Sequence, residues 1–235
     1  MIIAIDGLDG SGKETACNNL KEIILKERPD IKEIVIHSFP DYNIPSGKDI
    51  SLILSGNVMK GIQSPSKSIM ISELFAYNRY EHFLYNGLHD INAFDDPEVV
   101  HIFDRYWASN IIYQGLGKVD KAFTSFIETC RSMDIAFNNP LPDKYFFLRV
   151  PFSVLMQRLA ERNLSKSGAV DTYEEPTFQM AVYLQSEYML LLLNRNHMLY
   201  NDIIEGTYYT EKGTIKAYKP KEIAFNIYKA SFDIK

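Results

Sequence analysis

Ile2-Ile3-Ala4-Ile5-Asp6-Gly7-Leu8-Asp9-Gly10-Ser11-Gly12-Lys13-Glu14-Thr15 runs from an apolar stretch through a glycine-rich turn into a segment of helical character, and this order decides the fold. A strand that leads through three glycines and a lysine into a helix is the setting of a phosphate-binding loop. Gly7, Gly10 and Gly12 let the backbone curl around an anion with its N–H groups pointing inward, and the following helix start adds a favourable dipole. Lys13 supplies a mobile positive charge. The expected ligand is a nucleoside triphosphate; the competing reading, a glycine-rich turn without a ligand, does not account for the lysine, the spacing and the strand together.

Glu14 stands where a Ser or Thr hydroxyl normally coordinates magnesium, and Thr15 follows it. Three readings are compatible with that swap. Glu14 binds the ion or its water shell, carboxylate oxygen being a good hard ligand; or Thr15 or Asp9 does the metal work; or activity is weakened, because a carboxylate near a triphosphate repels it unless a cation lies between them.

Beyond the loop, residues 2–6, 33–38, 99–104, 144–149 and 198–204 are apolar runs separated by helical segments. Several are almost continuously apolar instead of alternating, as expected of a parallel sheet covered on both faces, which predicts a three-layer α/β fold. Helices are expected from 12 to 25 or 26, in two pieces over 50–84, and over 106–116, 123–137, 152–159, 178–194 and 220–230. Residues 207–218 read as a small hairpin or a surface loop. In such a sheet ligand chemistry gathers at the carboxyl ends of the strands, which directs attention to residues 6–15, 39–42 and 104–106.

A chain of 235 residues can bury a core without disulfides or a structural metal, and a single domain over 1–235 is expected. The formal charge of −5 and the lack of a basic run argue against binding a nucleic-acid polymer. Cys17 and Cys130 are far apart and belong to no metal-ligand motif, as in a reduced cytoplasmic protein. No cleavable leader is evident, and the longest greasy segment, 189–193, is too short to cross a bilayer, so no membrane partner is expected. His37, His82, His89, His101 and His197 lack ligand-like spacing and read as packing or surface residues.

Five motifs taken together resemble the thymidylate kinase family of P-loop nucleoside monophosphate kinases: G-L-D-G-S-G-K at 7–13, F-P-D-Y at 39–42, F-A-Y-N-R at 75–79, D-R-Y-W-A-S-N-I-I-Y-Q-G at 104–115 and D-T-Y-E at 171–174. The resemblance runs from the first loop to about Tyr188, and its most specific part is the Asp-Arg-Tyr block with Ser109 and Tyr113-Gln114. It implies a five-stranded parallel sheet flanked by helices, a homodimer, and transfer of phosphate from ATP to a deoxynucleoside monophosphate, with dTMP leading. Such a reaction requires a donor cradle, a Mg2+ position, cations over the migrating group and a second phosphate site.

The resemblance distributes those roles. Lys13 meets the donor's outer phosphates and Asp9 positions magnesium or its water, while Arg105 bridges donor and acceptor oxygens through its planar fork. Asp104 holds Arg105 or a magnesium-bound water. Phe39 and Ser109 belong to the acceptor motifs, and Tyr42 meets the 5′ phosphate. Phe75 stacks on the base, Arg79 reaches its edge, Asn110 reads base or sugar, and Tyr113 packs under the deoxyribose against a 2′-hydroxyl.

Residues 158–174 resemble a mobile lid with Arg158, Arg162 and Lys166 as its cations, Arg162 being the expected catalytic one. Asp41, like Glu14, departs from the family pattern, standing where arginine is frequent and adding negative charge near the expected phosphates. Two rival readings remain: a related deoxynucleoside or deoxynucleotide kinase with another acceptor, and a catalytically weak kinase-like nucleotide-binding protein.

Overall fold

Residues Ile2–Gly7 are all buried and form β1, the strand at the centre of the sheet. The computed structural model describes every residue except 57, 59–64, 166–175, 197–201, 210–214 and 235. From β1 the chain continues through α1 (Lys13–Glu27), β2 (Glu33–Ser38), α2 (Pro45–Leu54), α3 (Pro65–Tyr85) and a 3-10 turn at Ile91–Phe94. Then follow β3 (Val99–Asp104), α4 (Trp107–Gln114), α5 (Asp120–Ala136), β4 (Lys144–Arg149), α6 (Phe152–Ser165) and α7 (Pro176–Asn196). The last elements are β5 (Asp202–Glu205), β6 (Thr207–Tyr209), β7 (Ile215–Ala217) and α8 (Pro220–Ser231).

Five strands form one parallel sheet in the order β2-β3-β1-β4-β5, helices cover it, and this is the architecture of P-loop nucleotide-binding proteins. The middle four residues of β3 and of β4 are buried, so the continuous apolar runs correspond to strands covered on both faces. Helix α1 packs against α8, where Ile223, Ala224 and Ile227 turn inward. Helices α3, α4 and α5 pack on one another, with α4 against β1.

Register brings the ligand edge together. Ile5 lies opposite Asp104 in β3, and Ser38 in β2 lies opposite the same residue. The Arg105 N–H donates to the Ile5 carbonyl at 3.0 Å and the Phe39 N–H to the Asp104 carbonyl at 3.0 Å, so the segments after β1, β2 and β3 leave the sheet side by side.

Boundaries differ from the sequence expectation where proline starts a helix. Helix α2 begins at Pro45 and not near residue 50, and α7 begins at Pro176 and not at 178. Proline suits the first helical position because its missing N–H has no partner there. Helix α5 starts at Asp120, three residues before its first buried aromatic, Phe123. The fifth strand is described from Asp202; residues 198–201 of the expected run lie outside the described residues. Antiparallel pairing of β6 with β7 makes the expected hairpin. Both thiols are buried and free.

Candidate active site

The loop after β1 coils tightly, and Gly7 shows why the sequence needs glycine there. Its φ is +154°, and a Cβ would stand 2.8 Å from both the Leu148 carbonyl and the Ser11 hydroxyl. Lys13 is buried at the head of α1, donating to the Leu8 carbonyl at 2.7 Å and the Ser11 hydroxyl at 3.4 Å. Burial and the nearby Arg105 pull its pKa down to about 8, against the opposing pull of Asp9, Asp104 and Asp6. Arg158 of α6 donates to the carbonyls of Gly10 and Ser11 at 3.2 and 3.0 Å, clamping the loop from outside. Glu14 and Thr15 are exposed on the first turn of α1.

Three acidic residues, Asp6, Asp9 and Asp104, organise the neighbouring polar network. Asp6 accepts from the Tyr106 N–H at 3.1 Å and from the hydroxyls of Ser109 and Tyr145. Arg105 has a left-handed backbone, φ 69°, a costly conformation held here by its bond to the Ile5 carbonyl. Its guanidinium pairs with Asp9 and donates to the Gly7 carbonyl and the Ser109 hydroxyl, each at 3.3 Å. The Tyr113 hydroxyl donates to the other Asp9 oxygen at 2.8 Å. Burial pushes the Asp9 carboxyl upward, but Arg105, Lys13 and Tyr113 outweigh it and hold it well below the carboxylate range. Asp104 behaves oppositely, with burial raising its pKa despite Lys13 and Arg105 nearby. The carboxylate partner of Arg105 is thus Asp9 and not Asp104, whose side chain stays close to Lys13.

Beside this network lies a cavity of about 400 Å³. Ten residues singled out from the sequence share its wall: Asp9, Phe39, Tyr42, Phe75, Arg79, Arg105, Ser109, Asn110, Tyr113 and Arg162. Pro40, Leu54, Tyr106 and Gln114 complete it. The backbone loop residues Gly7, Gly10, Ser11 and Gly12, with Lys13, Glu14, Thr15 and Asp104, stand outside that wall. The described part of the expected lid is the end of α6, which brings Arg162 to the cavity and close enough to Asp9 to lower its pKa. Lys166 and D-T-Y-E at 171–174 lie outside the described residues.

Two residues of the wall are more constrained than their sequence motifs reveal. Arg79 is 2 % exposed, and its Nε and Nη2 donate to the two oxygens of Asp134 at 2.7 and 2.8 Å, while its guanidinium faces the Tyr106 ring. Asn139 donates to the same Asp134 and ties it to the Ala76 carbonyl. Nothing in the sequence signals Asp134, because its partner is 55 residues away, with β3 and α4 between them. Asn110 donates through Nδ2 to the Ser72 carbonyl at 3.0 Å, which fixes the amide, since a carbonyl only accepts. Its Oδ1 is buried and has no partner.

Asp41 and the histidines differ most from expectation. Asp41 is not in the cavity wall; its carboxylate meets His82 Nδ1 at 2.8 Å, so its charge is turned away from the expected phosphates. His37, His82 and His101, read from spacing as packing or surface residues, do pack on aromatic rings and in addition form one hydrogen-bonded row. No group of three or more His, Cys, Asp or Glu side chains that could hold a metal ion exists among the described residues. Asp9 and Asp104, carboxylates near Lys13, are hard oxygen donors of the kind that would suit a magnesium ion carried largely by phosphate and water.

A parallel sheet, an anion cradle at its central strand, and an arginine between that cradle and a second cavity define a P-loop phosphotransferase of the nucleotide kinase class. Residues 5–205 match the family model described as thymidylate kinase. The chain is 32% identical over 158 residues to a probable thymidylate kinase 1 of Saccharolobus solfataricus, covering 67% of this chain and 69% of that one. It is 27% identical over 167 residues to the thymidylate kinase of Coprothermobacter proteolyticus, covering 69% and 73%. The solved thymidylate kinase structure from Candida albicans superposes with a TM-score of 0.58 at 21% identity, covering 100% of this chain and 93% of that one. The protein belongs to the thymidylate kinase family.

Proposed function

We propose that the protein transfers the terminal phosphoryl group of ATP to a deoxynucleoside monophosphate, dTMP above others, giving the diphosphate. The observation that carries this reading is the unpartnered, buried acceptor of Asn110 in the same wall as the Arg79 guanidinium. An acceptor beside a donor complements the N3–H and O4 of thymine and mismatches cytosine, which offers an acceptor and an amino group instead. A polar site that loses a partner on binding the wrong base discriminates strongly.

In the proposed reaction the phosphate loop and Lys13 hold the donor, and Phe75 and Tyr113 sandwich the nucleoside of the acceptor. Arg105 lies between the two anions, where its fork spans donor and acceptor oxygens and matches the charge that spreads during transfer. Asp9 holds that fork in the free protein. The acceptor phosphate is already anionic at neutral pH, so alignment matters more than a base. Magnesium supplies charge neutralisation on the donor phosphates, and Asp104, Asp9, Thr15 or Glu14 would hold its water shell. Arg162 adds positive charge at the cavity mouth. The reading includes a homodimer: Met70, Tyr77 and Leu84 are exposed on one face of α3, an apolar stripe suited to the same helix of a second copy.

The test is an ADP-release screen with ATP and magnesium across dTMP, dUMP, dCMP and dGMP and their parent nucleosides. The reading expects dTMP to be best by at least about tenfold over dCMP. Turnover with a nucleoside alone, or ATP binding with no acceptor-dependent ADP, would replace it with one of the rival readings.

A further inference from the structure

The row of histidines ends on the loop after β2, which carries both the unexpected acid Asp41 and the cavity residue Tyr42. His101 Nδ1 meets His37 Nε2 at 3.0 Å, His37 Nδ1 meets His82 Nε2 at 2.9 Å, and His82 Nδ1 meets the Asp41 carboxylate at 2.8 Å. Burial, with the neighbouring rings, pushes His37 down to about 3; burial and the chain's N-terminal charge push His101 down to about 4. Both are therefore neutral near pH 7, each with one ring hydrogen. An ionised carboxylate only accepts, so His82 Nδ1 must carry a hydrogen whatever the order of protons further along the row.

The same helix grips the loop at a second point. Asn78, one turn before His82 on α3, accepts from the Asp41 N–H at 2.8 Å and donates to the Asp41 carbonyl at 3.0 Å. Gly47 packs so close that a Cβ would lie 1.9 Å from that carbonyl. Helix α3 thus uses Phe75 and Arg79 in the cavity wall and Asn78 and His82 to fasten residues 39–42, which supply Phe39, Pro40 and Tyr42 to that wall.

We propose that His82 and Asp41 are positioning residues for the phosphate end of the acceptor: the imidazole draws the Asp41 carboxylate out of the cavity and fixes the loop that presents Tyr42. The inference rests on the acceptor reading given above. With His82 removed, the carboxylate keeps only the neutral donors of Asn43, its N–H at 2.9 Å and its Nδ2 at 3.2 Å, and stands as a negative charge one residue from the group expected to meet a phosphate, so that repulsion follows.

Steady-state kinetics of wild type, His82→Phe, Asp41→Asn and the double variant with ATP and dTMP test it. His82→Phe keeps a ring against Phe39 and Phe83 while removing both nitrogens. It is expected to raise KM for dTMP by about tenfold, with kcat within about twofold and KM for ATP unchanged. Adding Asp41→Asn is expected to return KM for dTMP to within about threefold of wild type, a rescue that a merely structural role does not produce. An unmoved KM in His82→Phe, or no recovery in the double variant, overturns the inference. Should His82→Phe fail to fold, nitrogen-15 spectra of wild type decide: a hydrogen on His82 Nδ1 at neutral pH supports the pairing, and a bare Nδ1 overturns it. Wild type that makes no ADP with any deoxynucleoside monophosphate would sink the functional reading instead.

Discussion

Arg79 shows how a side chain at a binding wall can be set by a residue with no sequence signature. Its guanidinium and the Asp134 carboxylate are each 2 % exposed and meet through two hydrogen bonds. Removing one member leaves an uncompensated buried charge, a loss of about 3–5 kcal/mol. Asp134→Ala is expected to show that loss in urea unfolding; a change below about 1 kcal/mol would contradict the coupling. Asn110 makes the complementary prediction for selectivity. With its Oδ1 unpartnered and its Nδ2 committed to Ser72, Asn110→Ala is expected to lower the preference for dTMP over dCMP by about tenfold in kcat/KM. A preference equal to that of wild type would remove Asn110 from base reading.

Sheet elements bring the next scale of consequence. His37 of β2 and His101 of β3 lie two residues out of step across the strand pair, where Val35 faces His101 and His37 faces Phe103. Burial lowers their pKa from 6.5 to about 3 and about 4 in the folded chain. Well above pH 6.5 neither state protonates them, and their contribution is fully present. As pH falls below 6.5 the unfolded chain takes up protons first, so stability declines, by about 2–3 kcal/mol per pH unit between about pH 6 and 4. Unfolding by denaturant across that range is the measurement, and His101→Phe is expected to remove about half of the slope. The strands themselves were legible, because 33–38, 99–104 and 144–149 each hold a mostly apolar stretch bounded by polar residues. The histidine row was not: residues 37, 82 and 101 have no shared period, and only the register of β2 with β3 and the packing of α3 bring them together.

The whole molecule combines these elements into an anion cradle and an adjoining cavity along one sheet edge. The cavity's main residues were visible because 39–42, 75–79 and 104–115 are local motifs at strand ends or on one helix face. What the sequence hid are the long-range partners: Asp134 for Arg79, His82 for Asp41, and Asp9 in place of Asp104 for Arg105. Helix α3 also sets the expected assembly. Met70, Tyr77 and Leu84 are 53%, 39% and 46% exposed on one stripe, and burying such a stripe between two copies favours a dimer. Sedimentation is expected to report a dimer for wild type and a monomer for Met70→Glu/Tyr77→Glu; a monomeric wild type would contradict that assembly. The proposed reaction turns on Arg105 standing between two bound nucleotides. The decisive measurement is acceptor-dependent ADP formation by Arg105→Ala, with ATP and dTMP affinities measured alongside. Both nucleotides are expected still to bind while kcat falls by about 10²–10³; turnover at the wild-type rate would contradict that placement.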